Sequence, residues 1–159
     1  PYPVDSTRNN RMISGWHSIQ ASWMCMDDAL RTGNRTNFMT ALEMGRVTME
    51  KCYGEPDENG ESGLDSISNP EAKPQIAKAG SAWGAMDDAM VWSLLTVEHT
   101  HAQWAVDWFG KVFKRAYERP ERFSRVCLLH HPRRLFFVKQ ILDRMIEREG
   151  RVSDYLKIG

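Results

Sequence analysis

Hydrophobic positions along this chain recur at helical spacing and almost nowhere else. Met12, Trp16, Ile19, Trp23, Met26 and Leu30 alternate steps of four and three, which draws one apolar seam along a first helix. Gly15 lowers helicity without breaking the pattern, and Thr32-Gly33-Asn34 supplies the stop, with glycine near the expected C-terminal position. A second helix is predicted from Thr36 to Cys52, with Phe38, Leu42, Gly45, Met49 and Cys52 as its seam. The connection between them is short, so the two helices are expected to be antiparallel neighbours.

From Gly54 to Pro74 the pattern stops. GEPDENGESGLDSISNPEAKP is acidic, rich in Gly, Pro, Ser and Asn, and nearly free of large apolar residues. It reads as a surface loop or linker, either between two subdomains or as an excursion within one bundle. A third helix begins at Ser81 or Ala82 with Met86, Met90 and Leu94 facing inward, flanked by Ala89 and Leu95. Thr96 to His101 either continues or breaks it. Trp104, Trp108 and Val112, with Ala105, Phe109 and Phe113, form the next apolar face, and Gly110 allows a bend.

Pro120 to Glu149 is the stretch that points to a function. Pro120 suits a first helical turn, and Phe123, Val126 and Cys127 share one side of a short helix. His130-His131-Pro132 is expected to interrupt it, because the residue before a proline is pushed out of the α region. Helical spacing resumes from Arg133. Leu135, Val138, Leu142 and Met145 form the stripe, widened by Phe136, Ile141 and Ile146, with Arg133, Arg134, Lys139, Gln140, Arg144 and Arg148 outside it. Two helices about a tight break make a candidate helix-turn-helix. The tail keeps Tyr155, Leu156 and Ile158, so docking is expected of it, with a second copy of the protein as one candidate and a homodimer as the result.

No stretch alternates with period two for long enough to predict a strand. The expected fold class is all-α, a compact helical bundle formed as one domain over residues 1–159. It divides into an N-terminal helical hairpin (11–53), the acidic loop (54–80) and a C-terminal helical region (81–159) holding the candidate helix-turn-helix.

Charge refines this picture. The formal net charge is zero, so nothing global attracts nucleic acid. The distribution is uneven: Lys111 to Arg151 carries 12 basic residues against 5 acidic ones, which leaves a basic C-terminal region and an acidic remainder. In a helix-turn-helix the second helix presents its N-terminal residues to the bases. Arg133, Arg134, Lys139 and Arg144 are therefore the expected nucleic-acid contacts, Arg122 and Arg125 the expected phosphate holders, and Lys111, Lys114 and Arg115 an extension of the basic face. The plain alternative is a packed hairpin whose arginines form a solvated face.

Other chemistry is sparse. Cys25, Cys52 and Cys127 are odd in number and widely spaced, as suits reduced thiols in a cytoplasmic protein, and no apolar run reaches membrane-spanning length. Ser22–Leu30 and Ala82–Met90 share a small-Trp-x-x-Met-Asp-Asp-Ala pattern. Asp27, Asp28, Asp87 and Asp88 could in principle gather a hard cation and make a carboxylate-metal enzyme, but adjacent residues on a helix point about 100° apart, so neither pair aims at one ion by itself. Glu98 and His101 have the spacing of one half of a di-iron motif, and the other half is missing. His99, His101, His130 and His131 lack zinc-ligand spacing. No nucleophile elbow or phosphate loop is present, so an enzyme is not the favoured expectation and no cofactor is implied. A reading from another class is a helical interaction module or inhibitor with a Trp/Met-rich surface, for which Trp83, Trp92, Trp104 and Trp108 are the candidate anchors.

From Asp87 onward the order of features resembles small phage helix-turn-helix regulators, in particular late-gene antiterminators of the Q type. The residues that carry the resemblance are Asp87-Asp88-Ala89, then Trp108-Phe109-Gly110, then Pro120-Glu121-x-Phe123-Ser124, and then Arg133-Arg134. Leu128 or Leu129 stands where such turns hold glycine. The resemblance implies a helical DNA-binding transcription regulator that also engages RNA polymerase.

Overall fold

The computed structural model describes residues 13–55, 63–64, 66–67, 81–118 and 130–156. Among them the chain is mostly helical, with α1 (Gly15–Thr32), α2 (Arg35–Cys52), α3 (Ser81–Thr100), α4 (Gln103–Glu118) and α5 (His130–Glu147).

α1 and α2 form the expected hairpin. Gly33 adopts the left-handed conformation at φ 67°, which lets its N–H and that of Asn34 donate to the carbonyls of Leu30 and Ala29 at 3.2 and 2.8 Å. Asn34 then caps α2, its side-chain oxygen accepting from Asn37 N–H at 3.0 Å. One turn thus ends the first helix and starts the next. The seam of α2 is buried as its spacing predicts, at Phe38, Leu42, Gly45, Met49 and Cys52. The α1 seam is buried as expected at Ile19, Trp23 and Met26, with Leu30 half-buried against the core; Ser22 and Ala29 join it, and Trp16 is exposed.

α3 is the centre of the molecule. It packs on α1, α2, α4 and α5. Every residue from Met86 to His99 is buried, including Asp87, Asp88, Ser93, Thr96, Glu98 and His99. A helix enclosed on all sides cannot shed its polar residues to water, so each needs an internal partner. Ser93 and Thr96 donate to helix carbonyls one turn back. The indole N–H of the fully buried Trp92 donates to Leu42 C=O at 3.2 Å. Gly45 makes room for that indole, since a Cβ at position 45 would lie 2.0 Å from Trp92 Nε1.

The acidic stretch is more structured than a free linker. Tyr53–Gly54 (β2) pairs antiparallel with Gly63–Leu64 (β3), and Ile13–Ser14 (β1) with Ser66–Ile67 (β4). These two-residue ladders are too short to leave a period-two signal. They return the chain so that Leu64 reaches the core at 1% exposure and β3 packs on α3. The tail also docks on its own chain: Ser153 N–H donates to Glu98 C=O at 2.9 Å, and Leu156 is buried. Ile158 lies outside the described residues.

The expected break at His131-Pro132 is absent. α5 starts at His130 and runs on to Glu147. Pro132 sits in its first turn, where the backbone N–H has no helical acceptor to lose, so proline is tolerated there. The short helix expected over 120–129 lies outside the described residues. The first half of a helix-turn-helix is therefore not in view, and its turn is the opening of α5.

Candidate functional site

Two charge clusters tie α5 to the buried helix. In the first, Arg134 Nη1 donates to Asp87 Oδ1 at 2.9 Å, and its Nε lies 2.6 Å from Asp88 Oδ1. The Trp23 indole N–H donates to the same Asp88 oxygen at 2.6 Å, and Asp88 N–H donates to Asp87 Oδ1 at 3.0 Å. Arg134, Asp87 and Asp88 are at most 6% exposed. Burial pushes the Asp88 carboxyl up to about 7 against the pull of Arg134, and Asp87 beside it adds to the rise.

In the second cluster Glu98, 2% exposed, receives both Nε and Nη2 of Arg144 at 2.8 Å, a bidentate pair. Arg148 Nη2 donates to the same carboxylate. Burial opposes ionisation of Glu98, but the Arg144 hydrogen bonds and charge, with Arg148, outweigh it and hold the group below the usual carboxylate range. His99 lies alongside, its Nε2 3.7 Å from Glu98 and its ring edge-on to Phe38. Burial pushes this imidazole down to about 4.

The clusters fix both direction and register. Asp87 and Glu98 are eleven residues apart on α3, and their partners Arg134 and Arg144 are ten apart on α5 in the same order. At about 1.5 Å per residue the two spans agree to about 2 Å, so α3 and α5 run parallel. A one-turn slip would pull both carboxylates off their bases. The chemistry of these groups is structural clamping: charges enclosed in apolar surroundings are held only when paired.

This geometry engages two of the six expected nucleic-acid contacts within the molecule. Arg134 is buried on the carboxylates and Arg144 is committed to Glu98, so neither presents a free guanidinium to a groove. Arg133 is exposed, and Lys139 is exposed and paired with Asp143 at 2.5 Å. Arg122 and Arg125 lie outside the described residues. Lys111 pairs with Glu55 and lies over the Tyr53 and Trp108 rings at 4.6 and 4.9 Å, while Arg115 pairs with Glu118 at 2.7 Å. Of the extended basic face Lys114 is the most open, with 75% of its side chain exposed.

The tryptophans are mostly interior. Trp92 is wholly buried against Trp104, whose ring centroid is 5.8 Å away, and Trp104 and Trp108 are half-buried. Trp83 belongs to α3, and its side chain lies outside the described residues. The two Asp-Asp steps have opposite environments: Asp27 and Asp28 are exposed, Asp28 pairing with Arg31 at 2.5 Å, while Asp87 and Asp88 are enclosed. Among the described residues no group of three His, Cys, Asp or Glu side chains is placed to hold a metal ion. The two copies of the sequence echo share one core: Met26 and Met86, and Ala29 and Ala89, are all buried, and Trp23 of the first copy bonds Asp88 of the second.

The buried role of Arg134 had a sequence signal. Arg134, Val138, Ile141 and Met145 repeat at four-three-four, so an arginine occupies the true apolar stripe, and Asp87-Asp88 sits in an otherwise apolar helix that requires a base. The outer side of α5 carries a second apolar stripe. Leu135 is 43% and Ile146 73% exposed, with the half-buried Leu142 between them at helical spacing, and Phe136 beside them is 59% exposed.

No protein-family model matches the sequence, and no curated protein is similar enough to count as a relative. Among the described residues no helix is long and apolar enough to cross a membrane.

Proposed function

We propose that this chain is a helical protein-interaction module that receives an apolar helix of a partner protein along the outer stripe of α5. The observation that carries this reading is the exposed pair Leu135 and Ile146, about 100° around α5 from its buried face of Arg134, Val138 and Ile141, with Leu142 between them reaching back to the core and Lys139 on the same side. A helix apolar on two faces has one face for its own core and one for a partner. The clamps on Asp87, Asp88 and Glu98 hold α5 in one register, which presents that stripe as a rigid surface. The nucleic-acid reading has less support, because Arg134 and Arg144 are engaged with carboxylates and Lys139 with Asp143.

The test compares wild type with Leu135→Glu/Ile146→Glu in affinity capture from the producing cells, with Lys51→Glu on α2 as a surface control. A stoichiometric protein partner lost from the double variant and kept by the control supports the reading. Salt-sensitive binding to duplex DNA that Arg133→Ala/Lys139→Ala weakens, and the stripe variant does not, overturns it in favour of a nucleic-acid regulator.

A further inference from the structure

α4 also has two apolar faces; among the described residues the core takes one and, of the other, only the edge at Phe109. Ala105 and Val112 are buried where α4 packs on α3. Val106, Phe109, Gly110 and Phe113 fill the i, i+3, i+4, i+7 positions of another face, with Val106 41% and Phe113 51% exposed. The Phe109 and Phe113 rings stack with centroids 5.6 Å apart, forming a flat apolar step beside the glycine.

Gly110 gives the face a meaning. A glycine inside a helix weakens it relative to alanine, and the close approach of another backbone is one reason to hold it. Gly45 has one inside the molecule, the Trp92 indole. A Cβ at Gly110 would meet nothing within 4 Å. Among the described residues nothing requires glycine there, whereas a helix backbone approaching from outside would.

The flanking charges say which helix. Asp107 and Lys114 are exposed, seven residues apart, and lie on the same flank of this face. When two helices pack antiparallel, like flanks face each other. Two copies of α4 crossing near Gly110 would bring Asp107 of one opposite Lys114 of the other, twice, by symmetry. We infer that α4 is a self-association face, forming an antiparallel two-fold dimer through Val106, Phe109, Gly110 and Phe113, with Asp107–Lys114 pairs at its rim. This is independent of the α5 reading, which concerns a different helix and a different partner. α4 is about 24 Å long, so one helix pair makes a small interface of the weak, concentration-dependent kind.

The test is sedimentation equilibrium of the whole chain from roughly 5 to 500 µM, with far-UV circular dichroism to confirm that each variant is folded. Wild type should move from monomer to dimer across that range, and Phe113→Glu should abolish the dimer. Asp107→Lys should weaken it about tenfold at low salt, and Asp107→Lys/Lys114→Asp should restore it to within about twofold. Leu135→Glu/Ile146→Glu should leave it intact. A wild-type monomer throughout, a dimer that survives Phe113→Glu, a dimer lost with the α5 variant, or a charge swap that fails to restore association overturns the inference.

Discussion

Replacing Gly45 with alanine adds one methyl group where two helices touch. The new Cβ would stand 2.0 Å from Nε1, 2.4 Å from Cε2 and 2.6 Å from Cδ1 of Trp92. Carbon contacts are comfortable at about 3.5–4.0 Å, so the indole must move by more than about 1 Å or α2 and α3 must part. The indole has nowhere to go: Trp92 is fully buried, with Trp104 on one side and its N–H held by Leu42 C=O. Overpacking of this kind costs about 1–3 kcal/mol, and stranding the buried N–H about 1–3 kcal/mol more. Alanine returns up to about 1 kcal/mol of helix propensity. The net expectation is a loss of about 1–6 kcal/mol, read by urea unfolding followed through tryptophan fluorescence. A control isolates the cause. Gly110→Ala, in open space and measured at dilution where the chain is monomeric, should gain about 0.5–1 kcal/mol. Equal effects at the two glycines, or a gain in stability from Gly45→Ala, would refute the Trp92 packing argument.

Arg134→Met should destabilise by about 3–5 kcal/mol at neutral pH, because Asp87 and Asp88 stay buried without that base. An unchanged midpoint in denaturant would show that Arg134 is not enclosed as described. Trp23→Phe should cost about 1–3 kcal/mol by removing the hydrogen bond to Asp88, and less in an Asp88→Asn background, as a double-mutant cycle would read. Titration separates two opposing contributions. Asp88 has a folded pKa of about 7 above its ordinary value of 3.8, so its contribution is full below about 4 and is lost as pH rises towards 7. His99 has a folded pKa of about 4 below its ordinary 6.5, so its contribution is full above 6.5 and is lost as pH falls towards 4. Asp88→Asn should therefore unmask stability that rises from pH 4 to 6.5, measured as denaturant midpoints across that range. A flat profile in the variant would rule out a buried neutral His99.

Helix existence was legible because it rests on local spacing. The α2 seam, the Gly33 stop and the start of α3 all appear where periodicity and turn chemistry place them. Period and composition, however, do not choose between neighbouring stripes of one helix. On α5 the stripe through Leu135, Lys139, Leu142 and Ile146 and the one through Arg134, Val138, Ile141 and Met145 each hold three apolar residues and one base, and the core takes the second, in which the arginine satisfies the carboxylates buried on α3. The same limit applies to Pro132: an isolated rule makes it a break, while its position in the first turn makes it harmless. Short ladders such as Tyr53–Gly54 with Gly63–Leu64 leave no periodic trace in a stretch otherwise composed like a loop.

By itself, then, the sequence determined which of the described segments are helical, where the first hairpin turns, and that the chain carries a basic C-terminal region. Each of those depends on residues within a turn or two of one another. Only the tertiary structure decided which charges are surface and which are clamps. Whether an arginine is a ligand for phosphate or a partner for Asp87, Asp88 or Glu98 depends on a helix that lies 46 or 47 residues away in the chain and is fully enclosed. Burial is a property of the assembled core, and the cost of an unpaired charge there selects the pairing.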